Sequence, residues 1–361
     1  MSPISFVMAC FALLGALDLI IGNKFGLGKQ FERGLTLIGA MATSMVGMLV
    51  LAPLIGYLLR PMVEGLASVI PFEPSVVPAM ILANDMGGYP LAMEFASNLE
   101  VGYYNGLIVS AMMGVTISFN IPFAMGVVAK EKHEPLLLGL LCGIVTTPVG
   151  CLVSGFVVGL PMSDLLRSII PLLVFAALLA VALFLFPNAC VKVFKTFGVV
   201  IKTIILIGLA AGIFEGLTGI ELIPYTAPIE EAFDVCVNAA MVMSGAFPLV
   251  YILSKILDKP MKKLGTLIGV NTASAIGFLS TLATNITTYG NMQDMDEKGT
   301  MLNGAFSVSA GFVFAGHLAF TLAFNADYAV SMIIGKLLSG ISAVVVGVLL
   351  FKVLNKRKTT K

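Results

Sequence analysis

The chain has 361 residues, of which 58% are hydrophobic and only 11% charged, with a mean hydropathy of +1.01. Soluble domains carry about 25% charged residues, so this composition excludes one and leaves an all-α polytopic membrane protein. The net charge of +1 gives no sign of a nucleic-acid partner.

Eleven apolar segments follow one another, at about 3–21, 34–59, 66–94, 101–129, 135–160, 165–187, 196–219, 232–256, 264–290, 300–325 and 329–354. Runs of about 18 apolar residues or more read as bilayer-entering helices. The first run has no basic stretch before it and no small-residue cleavage site, so it is expected to be a retained span. Cys10, Cys142, Cys151, Cys190 and Cys236 show no metal-ligand spacing, and neither a disulfide, a metal site nor a cofactor is expected. Tryptophan is absent, which leaves tyrosine and phenylalanine for any aromatic contact to a ligand.

Short words recur in one order. LLRPM at 58–62 matches LDKPM at 257–261, ILANDMGGYP at 81–90 matches TLATNITTYG at 281–290, YNGLIVSAMMG at 104–114 matches LNGAFSVSAGF at 302–312, and LLCGI at 140–144 matches LLSGI at 337–341. Four collinear matches describe a duplicated unit, a frequent feature of transporters. The expected division is a first repeat at 1–160, a linking segment at 161–195 and a second repeat at 196–361, within a single transmembrane domain.

The distribution of basic residues addresses the topology. If all eleven segments cross, ten basic residues lie on one side and nine on the other. If the third and ninth segments enter and turn back, seventeen lie on the cytoplasmic side and only Arg60 and Arg167 outside, with Lys202 and Lys336 inside segments. The second arrangement obeys the positive-inside rule. It makes the repeats inverted and the segments carrying LANDMGGYP and LATNITTYG re-entrant. Non-helical backbone at membrane depth survives only when buried in protein or lining a cavity, so both breaks are expected to face one cavity.

Asp85 costs roughly 2.5–3.5 kcal/mol at the bilayer centre and such a residue generally faces a pathway. Gly87 and Gly88 free the backbone beside it, while Asn84 and Tyr89 complete the stretch. The repeat mate supplies Thr284, Asn285, Thr288 and Tyr289, neutral and polar. A negative half facing a neutral half suits a small monocation carrying a hydroxyl. The alternatives are a carboxylate tied to backbone amides for Asp85 and interfacial anchoring for the tyrosines. Thr116 and Asn120 either line the cavity or hydrogen-bond between helices. Asn105 and Asn303 fit capping or packing, and His317 fits a satisfied packing role. Glu215, Glu221, Glu230 and Glu231 read as a solvated outer loop. An intramembrane enzyme finds little support: the mate of Asp85 is Asn285, and only His133 and His317 occur, with no G-x-S-x-G or H-E-x-x-H.

At these residues the chain resembles the EutH family of bacterial ethanolamine-utilisation proteins. LANDMGGYPLAMEF is similar to the family's L-A-x-D-M-G-G-(F/Y) stretch, and GLIVSAMMGVTISFNIPFAMG (106–126) and GLLCGIVTTPVGC (139–151) resemble two further runs of that family. The similarity is densest from Phe31 to Gly155. The family stretch differs in having cysteine where Asn84 stands and proline where Val115 stands. The resemblance implies uptake of ethanolamine across the cytoplasmic membrane. On this reading Asp85 holds the ammonium, Tyr89 or Tyr289 covers it, and Asn84, Thr284, Asn285 or Thr288 receive the hydroxyl. A facilitator driven by concentration and membrane potential suffices. The alternative is a sodium- or proton-coupled carrier of another small amine or amino acid; it is disfavoured because no arginine is expected within a membrane segment away from its ends. The abundant small residues leave a homo-oligomer open.

Overall fold

In a computed structural model the described residues, 3–359, are all-helical. The side chains of Asp258, Met261, Lys262, Leu264 and residues 356–359 are not described, so Lys262, Lys356, Arg357, Lys358 and Lys361, counted above, lie outside that description. Eight helices among the described residues are long and apolar enough to cross a membrane. Five are α1 (Pro3–Ile20), α2 (Leu27–Val69), α5 (Leu99–Val127), α6 (Lys130–Val158) and α7 (Met162–Leu185). The others are α8 (Pro187–Thr218), α9 (Ile229–Ile268) and the last helix, α14 (Ala329–Thr359). Such a chain is a multi-pass membrane protein. Shorter helices fill the places of the third, ninth and tenth expected segments.

The third segment is a hairpin of α3 (Val76–Ile81) and α4 (Gly88–Phe95). Its ends are clasped by the buried Glu73, whose carboxylate accepts from the Ser97 amide at 3.1 Å, the Ser97 hydroxyl at 2.6 Å and the Ser75 hydroxyl at 3.0 Å. Entry and exit therefore sit at one end of the bundle. The ninth segment, α10 (Thr272–Ala283) and α11 (Asn285–Gly290), is clasped in the opposite sense. There the acid is at the exit: Asp296 accepts from the Ser274 hydroxyl at 2.6 Å and the Asn271 amide at 3.3 Å. Asn105 and Asn303 reinforce these bases, donating to the Ser75 hydroxyl at 2.8 Å and to the Ser274 carbonyl at 2.9 Å, a packing role.

The two bases lie at opposite ends of α6. The first adjoins the residues just beyond the C-terminus of α6, with the Glu73 amide donating to the Arg167 carbonyl at 3.1 Å and Asn98 to Asp164 at 3.1 Å. The second adjoins the N-terminus of α6, where the Lys132 ammonium donates to the Met295 carbonyl.

Three departures from the sequence expectation matter. Helix α2 continues from Leu27, past a turn at Leu37 and a π-helical stretch at Ala42–Val46 and through Pro53 and Pro61, to Val69, so Arg33 lies inside it, whereas the expected segment began at residue 34. Within α5, residues Asn105–Gly114 and Thr116–Asn120 are π-helical, a geometry that concentrates at functional sites. The tenth segment, expected as one helix, breaks into α12 (Glu297–Ala310) and α13 (Gly316–Phe324). Its middle crosses the tip of the second hairpin: the Phe312 and Phe314 amides donate to the Thr281 and Leu282 carbonyls, each at 3.0 Å. Those carbonyls belong to the last turn of α10 and would otherwise lack partners. Gly311 is needed there because a Cβ would collide with the Asn285 amide.

Candidate functional site

Each hairpin is broken at its tip. In the first, α3 ends at Leu82 in extended backbone, Asn84–Met86 make a tight turn, and Gly87 takes φ +110° before α4 begins. Only glycine adopts that backbone cheaply. A Cβ on Gly88 would strike the Leu82 and Ala83 carbonyls, so the GG pair is what lets the turn close. The turn is anchored to α5 by the Ala83 amide, which donates to the Ser118 hydroxyl at 3.0 Å. In the second, Thr284 interrupts the helix in extended backbone, and its hydroxyl accepts from the Ile286 amide at 3.2 Å. Asn285 is tied to α5 as well, donating to Asn120 Oδ1 at 2.8 Å and to the Ser307 carbonyl at 3.0 Å. The π-helical stretch of α5 thus stands between the two tips and holds both.

Asp85 from one tip and Ala283, Thr284 and Ile286 from the other line a single cavity of about 250 Å³. Both breaks do face one cavity. Phe312, Ala315, Gly316 and Phe320 from the broken tenth segment form another wall, and Ser44 and Met45, from a π-helical turn of α2, a third. A second cavity of about 370 Å³, lined by Gln30, Tyr251, Ser254 and Thr287, shares Arg33, Phe247, Ala283 and Thr284 with the first. These four residues form a collar between chamber and vestibule.

No basic side chain pairs with Asp85 among the described residues, and Gly87, not Asp85, holds the N-cap position of α4. The carboxylate is half-buried and faces the chamber. Asn84, fully buried beside it, has neither amide atom hydrogen-bonded. An unpaired buried donor or acceptor costs about 1–3 kcal/mol, so this side chain is poised for a polar partner.

Of the predicted site residues only Asp85 and Thr284 line the chamber; Asn84 and the rest are buried in packing off its wall. Gly87 and Gly88 shape the turn. Tyr89 packs against Phe324 with ring centroids 3.9 Å apart and planes tilted by 36°, and sits edge-on to Phe320 at 5.7 Å; Phe320, not Tyr89, reaches the chamber. Tyr289 is buried, hydrogen-bonded to the Ser307 hydroxyl at 2.8 Å. Thr288 pairs with Thr281 at 2.9 Å. Thr116 donates to the Met112 carbonyl of its own helix at 2.7 Å, whereas Asn120 accepts from Asn285 and so helps position the second tip. His317 packs 5.2 Å from the Phe312 ring, yet its Nδ1 has no partner, so the histidine is packed without being fully satisfied. The wall residues Arg33, Phe247, Phe312 and Phe320 were not read as site residues from the sequence. Only the SAGFVFAG stretch at 309–316, with glycines five apart, carried a signal for a second break.

A multi-pass helical bundle in which two broken hairpins, entering from opposite ends, share one cavity with an unpaired carboxylate defines a membrane carrier. The chain belongs to the EutH family: the family model "Ethanolamine utilisation protein, EutH" matches residues 2–350. It is 41% identical to the "Probable ethanolamine permease EutH" of Listeria monocytogenes, over 99% of this chain and 96% of that one. It is 36% identical to the protein of the same name from Salmonella typhimurium, over 96% and 94%, and 35% identical to the "Uncharacterized protein YxeR" of Bacillus subtilis, over 94% and 91%. No solved structure matches.

Proposed function

We propose that the protein is a facilitator for protonated ethanolamine, and that Asp85 binds its ammonium. The observation that carries this reading is the unpaired Asp85 carboxylate on the wall of the chamber between the hairpin tips. A primary ammonium satisfies the carboxylate. The hydroxyl two carbons away both donates and accepts, and Thr284 is the partner that the chamber wall presents, since its Oγ1 accepts from Ile286 and keeps its own proton to donate. Asn84, whose amide has both functions unused, adjoins Asp85 but is fully buried off that wall. Phe312 and Phe320 close the apolar side and take the covering role that the sequence assigned to Tyr89 or Tyr289. The names of the relatives supply the substrate, and the chamber supports it by size and charge.

The opposed hairpins support reading the halves, 1–160 and 196–361, as inverted repeats joined by 161–195, with alternating access by movement of the hairpins against α5. One positive charge moving down about 100 mV gains about 2.3 kcal/mol, roughly fifty-fold accumulation, so uptake needs no coupling ion. Uptake of labelled ethanolamine into proteoliposomes tests this. Saturable uptake that follows the concentration gradient and an imposed potential is expected, with no response to a sodium gradient. A strict need for a sodium or pH gradient would overturn the facilitator mechanism, and absence of saturable uptake would overturn the substrate assignment.

A further inference from the structure

The chamber holds two charged side chains of opposite sign, Asp85 and Arg33, and no other charged residue lines it. Neither is ion-paired among the described residues. Arg33 rests with its guanidinium carbon 4.9 Å from the centroid of the Phe247 ring. A guanidinium held against a ring in this way retains its N–H edge, the fork that grips a carboxylate or phosphate with two parallel bonds. Ethanolamine as a cation engages Asp85 and leaves that fork unused.

We propose that the chamber binds small zwitterions, molecules with a primary ammonium at one end and a carboxylate or phosphate at the other, through Asp85 and Arg33 together. Such a ligand neutralises both unpaired charges at once. It shares Asp85 with the substrate and therefore competes with it, a consequence that rests on the ethanolamine reading; the binding itself rests only on the two charges. It also links the tip of the first hairpin to the collar residue of α2, so a bound zwitterion holds the hairpin against the helix it moves past. The cavity volume of about 250 Å³ limits the class to molecules of a few heavy atoms.

Calorimetric titration of the purified full-length protein tests this with β-alanine, n-propylamine and propionate as probes, and with glycine, 4-aminobutyrate and 5-aminopentanoate to read the charge separation. One length in the series is expected to bind about tenfold or more tightly than n-propylamine, the gain of one charge-assisted contact. Arg33→Gln should reduce that zwitterion to the level of n-propylamine, and Arg33→Lys, which keeps the charge and loses the fork, should fall between. Asp85→Asn should weaken zwitterion and ethanolamine alike. Zwitterions that bind no better than n-propylamine at every length, or whose binding survives Arg33→Gln, would overturn the proposal. Zwitterion binding without ethanolamine binding would instead overturn the substrate reading and leave this site standing.

Discussion

Replacing Asp85 by asparagine keeps the size and one acceptor of the side chain and removes its charge. A carboxylate and an ammonium about 4 Å apart attract by about 4 kcal/mol at an effective dielectric of about 20. Asp85 is half-buried and faces a chamber joined to a vestibule, so water returns part of that attraction when the charge is lost. A loss of roughly 2–4 kcal/mol follows, or a fall in ethanolamine affinity of roughly 30- to 900-fold. The fold should survive, because the carboxylate is in no ion pair and caps no neighbouring helix among the described residues. Saturable counterflow of labelled ethanolamine in proteoliposomes measures the effect, with the melting temperature of the purified variant as the control for folding. Uptake by Asp85→Asn within about threefold of the parent, at equal melting temperature, would remove Asp85 from ammonium binding.

Three further outcomes test the frame around the site. Gly87→Ala places a side chain at φ +110°, where its Cβ would also lie 2.8 Å from Met48 Cγ; strain of about 1–3 kcal/mol should lower the melting temperature and abolish most uptake. Glu73→Gln replaces a charged acceptor of three hydrogen bonds by an amide with one acceptor oxygen, so a loss of about 1.5–3 kcal/mol should appear as faster proteolysis at Ser97, and unchanged proteolysis would refute the clasp. Single cysteines at Met62 and Ser97, introduced after removal of the five native cysteines, should react with an impermeant maleimide from the same face. That expectation follows from Arg60, which donates to the Glu94 carbonyl at 2.8 Å, and from the Glu73 clasp; labelling from opposite faces would refute the hairpin.

The hairpins were legible because their chemistry cannot be hidden in an apolar run. A chain that leaves the helix at membrane depth needs glycine, asparagine or threonine at the break, and LANDMGGYP and LATNITTYG carry them at matching positions. The collinear words then pointed to both breaks, and the basic residues favoured an opposed entry. What stayed illegible depends on partners. SVSAGFVFAG is as apolar as a continuous helix, and its break at Phe312 exists because α10 ends beneath it with carbonyls that need donors. Arg33 looked like a terminal residue because Lys24, Lys29 and Glu32 lower the hydropathy before it, although helix α2 begins at Leu27. Tyr89 and Tyr289 match as words in the sequence, but a one-dimensional match carries no side-chain direction, and both rings turn into packing. The π-helical register of α5 has no periodicity signal of its own.

The two halves contribute unequal chemistry to an arrangement of matching geometry, and this inequality fits a single-cation carrier. Two acidic tips would place like charges together in a low-dielectric chamber, and one carboxylate would take up a proton or a second cation to relieve them. Two neutral tips would leave an ammonium to lose its hydration without an opposite charge, at a cost of several kcal/mol. With Asp85 on one side and Thr284 on the other, the proposed site carries a single charge, which suits one monovalent cation. Asn285 stands where a second acid would be and is instead committed to Asn120 of α5 and Ser307 of α12. The first tip is joined to α5 by one hydrogen bond, from Ala83 to Ser118. Each tip is therefore held to α5 by one side-chain hydrogen bond, and the charge of Asp85, not the anchoring, is what sets the two apart.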